Sequence, residues 1–75
     1  MTLDPQDIIY TVNPVTGGWT VRQLPDGEPL MFLSGGRAEA AAVRLATSWW
    51  QTGAPAQILI HDRQGRLVGE RRFGA

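Results

Sequence analysis

The chain has 75 residues, no cysteine and no lysine, and its seven arginines are matched by seven acidic residues. That length holds one core and buries only about 60% of the surface the unfolded chain exposes, so stability is modest and pairing with a second copy is an expected support. The missing cysteines exclude disulfides and thiolate metal sites, and a zero formal charge weighs against a dedicated nucleic-acid binder, which carries a strongly basic face.

Residues 1–7 read as a flexible lead-in, with Pro5 blocking early helix. This acidic opening is no secretion signal, and no apolar run reaches the roughly 18 residues of a membrane span, so a cytoplasmic chain without membrane contact is expected. The remainder, 8–75, is read as one compact domain. Residues 8–13, rich in β-branched and aromatic side chains, form a first strand, and Gly17-Gly18 supplies the positive φ of a hairpin turn. The second strand, 19–24, alternates Trp19 and Val21 against Thr20 and Arg22, and Pro25-Asp26-Gly27 then reverses the chain. Residues 30–33 are a third strand, apolar throughout.

Ser34-Gly35-Gly36 ends the strand pattern. Ala38, Ala41, Ala42, Leu45, Ala46 and Trp49 then recur at the spacing of one helical face, with Ser34 or Gly36 as N-cap and Gly53 followed by Pro55 as the stop. Residues 56–61 and 67–73 are the fourth and fifth strands, joined by the loop Asp62-Arg63-Gln64-Gly65-Arg66. The expected fold class is α+β: a single antiparallel sheet, element order β-β-β-α-β-β, with one helix on one face. One helix covers one face only, yet residues 30–33 and 58–60 are apolar at every position. A sheet with one wet face should alternate, so the second face is expected to be covered, most simply by another copy of the chain.

Tyr10-x-Val12-x-Pro14, Gly17-Gly18-Trp19-x-Val21, the helix start Arg37-Ala38-Glu39-Ala40, Gly53-Ala54, Ile58-x-Ile60-His61-Asp62-x-x-Gly65-Arg66 and the closing Phe73-Gly74 occur in that order. Together, over residues 9–74, they resemble a bacterial family of small proteins, domain-of-unknown-function family 2188. The resemblance implies a compact α+β fold and a bacterial origin, and brings no activity, cofactor or catalytic residue with it. The chain departs from the family pattern at Gly35-Gly36, where a Ser or Thr cap is usual, and in its longer, more apolar third strand.

The residue types that carry chemistry are sparse. His61-Asp62 could do acid–base work, but no nucleophile is placed for it, and a strand-end histidine beside a turn-forming aspartate is the preferred reading. One histidine and scattered carboxylates do not make a metal site. Gly35-Gly36 could cradle an anion at a helix start, but it lacks the longer glycine pattern of nucleotide sites, and a plain strand-to-helix turn is preferred. Trp49 and Trp50 point about 100° apart on a helix; Trp49 continues the apolar stripe, which leaves Trp50 as an interface candidate. Arg63, Arg66, Arg71 and Arg72 make the last hairpin basic, although Arg71 and Arg72, as strand neighbours, face opposite ways.

The leading expectation is therefore a non-enzymatic domain that self-associates as a homodimer, or docks on a protein, through the open sheet face. Met31, Leu33, Trp50 and Leu59 are its interface candidates. The alternative is nucleic-acid binding through Arg63, Arg66, Arg71 and Arg72 with aromatic stacking. No catalytic residue, metal, cofactor or small-molecule ligand is assigned.

Overall fold

The computed structural model describes residues 7–74; the expected flexible lead-in lies, apart from Asp7, outside them. The elements run β1 (Ile8–Val15), β2 (Gly18–Gln23), β3 (Leu30–Phe32), α1 (Gly35–Gln51), β4 (Ala56–His61) and β5 (Leu67–Phe73). They build a five-stranded sheet in the order β3-β2-β1-β4-β5. The expectation of a purely antiparallel sheet is corrected: β1 pairs with β4 in parallel, Tyr10 beside Ile58, while the other three strand pairs are antiparallel. The reason is α1. After the β1–β2–β3 meander the helix carries the chain back across the sheet, so β4 enters in the direction of β1, as helical crossovers require.

Local chemistry sets each boundary. Gly17, at φ 83°, makes the first reversal alone. Gly18 already belongs to β2, and a Cβ on it would collide with the Phe32 carbonyl. The second reversal contains a cis Leu24–Pro25 bond and closes through the Gly27 N–H donating to the Gln23 carbonyl at 2.7 Å. Gly27 is not in the left-handed region, contrary to the usual logic of a Pro-Asp-Gly turn. Ser34 is the N-cap of α1, its Oγ accepting from the Arg37 N–H at 3.2 Å. Gly35 lies where a Cβ would come within 3.1 Å of the Trp19 ring, so any side chain there would have to push the indole aside. At the other end the Ala54 N–H donates to the Trp49 carbonyl and the Gly53 N–H to the Trp50 carbonyl, with Gly53 at φ 92°: a Schellman stop.

The core lies between α1 and one sheet face. Tyr10, Val12, Val21, Ala56 and Ile58 meet Ala38, Ala42 and Ala46, whose small side chains bring the helix backbone close to the strands. Ile8, Trp19, Phe32, Leu45, Ile60 and Phe73 close the margins. Alternation sends Ile9, Thr11, Asn13, Val15, Thr20, Arg22, Gln57, Leu59, Val68, Glu70 and Arg72 to the reverse face. That face is mostly hydrophilic. Of the two runs expected to be apolar on both sides, Ile58 and Ile60 turn under the helix and only Leu59 and Met31 reach the reverse side.

Candidate functional site

Of the seven large hydrophobic side chains exposed among the described residues, Leu30, Met31 and Leu33 lie at the β3 margin, Trp49 and Trp50 at the end of α1, and Leu67 and Val68 on β5, the opposite outer strand. β3 is an outer strand of the sheet, only three residues long, and carries Leu30 at 47%, Met31 at 61% and, just past its end, Leu33 at 83% exposure. Leu30 and Phe32 face α1, and between them and Ala41 and Leu45 lies an open groove of about 280 Å³ with Arg44 and Ser48 on its rim. Met31, between those two, faces the reverse side. Arg37 and Arg44 stand two helical turns apart on α1. Neither forms an ion pair with a described residue, and α1 has no acidic residue in its first turn.

The four interface candidates do not converge. Met31 and Leu33 are at this margin. Leu59 is half-buried in the middle of the reverse face, between Thr11 on β1 and Glu70 on β5. Trp50 lies at the far end of α1, its ring so close to Gly74 that a Cβ there would come within 2.6 Å of it. Trp49 is 38% exposed, and its Nε1 donates to the Tyr10 hydroxyl at 2.9 Å, tying the last turn of α1 to β1. Sequence reasoning missed the groove residues Leu30, Phe32, Arg44 and Leu45. A short strand bounded by Pro29 and Ser34-Gly35-Gly36 was the available sign of an outer strand.

The C-terminal hairpin distributes its charge. Arg66 Nε donates to Asp62 Oδ2 at 3.0 Å, Arg72 Nε to Glu70 Oε1 at 2.9 Å, and Arg71 reaches Glu39 of α1 at 4.0 Å with its guanidinium over the Phe73 ring. Arg71 therefore faces the helix side and Arg72 the reverse side, with Arg63 exposed in the loop. Asp62 Oδ1 accepts the backbone N–H groups of Gln64 and Arg66. The Arg66 N–H bond, foremost, holds the Asp62 carboxyl below its usual range. The loop thus uses Asp62 as its turn-former. Its neighbour His61 ends β4 at a bulge, where Ile60 faces Gly69 and His61 faces Leu67, and its Nδ1 is buried without a hydrogen-bond partner among the described residues.

A second cleft of about 240 Å³ lies between Asp7, Pro55 and the β5 end at Arg72–Gly74. Among the described residues no three His, Asp or Glu side chains gather as metal ligands, and no helix is long and apolar enough to cross a membrane. No family model, curated protein or solved structure matches the chain.

Proposed function

We propose that the chain is a non-catalytic association module whose docking surface is the β3 margin and the groove beside α1. The observation that carries this is the exposure of Leu30, Met31 and the adjoining Leu33 at an outer strand that pairs on one side only, with β2. Outer strands are ordinarily blunted with charge or proline against pairing; this one is bounded by Pro29 but is itself wholly apolar. Exposed strand plus apolar groove is the surface that strand addition uses, backbone bonds supplying affinity and pockets supplying selection. The likeness of residues 9–74 to family 2188 adds no chemistry to this reading; bacterial origin and a cytoplasmic location are proposed with it.

Nucleic-acid binding by Arg63, Arg66, Arg71 and Arg72 has less support, because three of them meet carboxylates and they divide between two faces. A photoreactive residue at position 33, expressed in the source cell, tests the proposal. It is expected to give a defined protein adduct that a photoreactive residue at position 47 does not. Absence of an adduct, or equal labelling at both positions, overturns the association reading.

A further inference from the structure

We infer that the occupant of this surface is a second copy of the chain, joined β3 to β3 in antiparallel across a two-fold axis; this rests on the association reading above. The backbone directions come first. The Phe32 carbonyl points at β2, where a Cβ on Gly18 would strike it. Peptide groups alternate sides along a strand, so within β3 the N–H and C=O of Met31 point away from the sheet.

A two-fold axis beside Met31 pairs it with the second copy's Met31, each donating its N–H to the other's carbonyl. Pro29, just before β3, has no N–H to leave unpaired at the end of this short ladder. Leu30 stands opposite the second copy's Phe32, on the helix side, so the two grooves join into one apolar trough. Both helices then lie on the same side of one continuous sheet, and the axis is closed, with no free β3 left to recruit a further chain.

Charge selects the same register. The Met31–Met31 register brings the exposed Glu28, two residues before β3, toward the second copy's Ser34, the N-cap from which the exposed Arg37 follows. Neither Glu28 nor Arg37 has an ion-pair partner among the described residues. The first turn of α1 carries no acidic side chain of its own, and a carboxylate placed there meets both the arginine and the positive helix end. The two-fold makes this contact twice. A three-residue strand is a small interface, so the dimer is a weak one.

Sedimentation equilibrium of the full chain, from micromolar to submillimolar concentration, tests this. The wild type is expected to dimerise reversibly. Met31→Pro, which removes the outward N–H without removing a bond to β2, abolishes dimerisation. E28R and R37E each weaken it about tenfold or more at low salt, while an equimolar mixture of E28R and R37E dimerises again, because each variant presents the charge the other now requires. Circular dichroism of each variant checks that the fold is kept. A wild type that stays monomeric overturns the inference. So does a dimer indifferent to Met31→Pro, or one that mixing the two charge variants does not restore. A monomeric wild type with a position-33 adduct to a different protein removes self-pairing and leaves the association reading standing; no adduct at all removes both.

Discussion

Ala42→Leu asks whether α1 lies as close to the sheet as its alanine row implies. Ala38, Ala42 and Ala46 recur once per turn, each fully buried, against Tyr10, Val12, Val21 and Ile58. If space remained beneath Ala42, three further carbons would contribute about 2.4 kcal/mol, at about 0.8 kcal/mol per buried methylene. With the helix backbone held close, leucine must instead displace the strands or α1, which costs about 1–3 kcal/mol. The sign of the change therefore decides the matter. A chain of this length has a total stability on the order of 4–11 kcal/mol, so the loss is a large share of it. In urea, with a slope of about 1 kcal/mol per molar for so small a domain, the unfolding midpoint followed by circular dichroism should fall by about 1–3 M. Ala40→Leu, on the exposed side of the same helix, is the control and should change stability by no more than about 0.5 kcal/mol. A midpoint that rises or stays unchanged in Ala42→Leu would refute close contact between helix and sheet.

Tyr10→Phe deprives the Trp49 indole N–H of its acceptor at 2.9 Å and should cost about 1 kcal/mol by urea unfolding; a neutral result would mean that water replaces the bond at no loss. Gly18→Ala drives a Cβ into the Phe32 carbonyl and should loosen β3 alone, so that the Leu30 and Phe32 amides exchange hydrogen faster while those of β4 do not; unchanged exchange would contradict the tight β2–β3 contact. Because the Asp62 carboxyl is held below its ordinary value in the fold, its contribution is full above that value, about pH 3.9, and disappears as pH falls through the folded value. Asp62→Asn should flatten this acid limb of stability, and an identical limb in both proteins would show that the loop bonds are not its source. Filter binding of single-stranded nucleic acid across a salt series should show only weak retention with a shallow slope; a steep slope would return the arginine hairpin to first place.

The element boundaries were largely legible because each has a local cause. α1 shows its helical spacing, its Ser34 cap and its Gly53 stop, and strands 56–61 and 67–73 are flanked by turn residues. The pairing of β1 with β4 was not legible, since Ile8 to Val12 and Ile58 to Ile60 would carry the same side chains in either direction, and only the path of α1 decides between them. The apolar run 30–33 was open to two explanations, burial on both faces or an outer strand left bare. Its meaning depended on strand order, a long-range property that no local pattern encodes. The same holds for Leu59, which is half-buried by its neighbours in the sheet's middle rather than by any covering layer. At the candidate site, Met31 and Leu33 stood out within the apolar run 30–33, but as part of an uncovered sheet face and not of an outer strand. The groove was not legible, because Leu30 and Leu45 meet only after the helix has crossed back.

The parallel seam between β1 and β4 has a kinetic meaning. Residues 8–32 can form a three-stranded meander from neighbouring stretches, and residues 56–73 a hairpin, each by closing short loops. Joining the pieces pairs β1 with β4 across more than forty intervening residues, a longer loop and so the costlier closure in chain entropy. Two peptides divided just before Ser34 would each retain a ready-made half, so the protein is suited to reassembly from fragments, with the β1–β4 joint as the step that restores the whole.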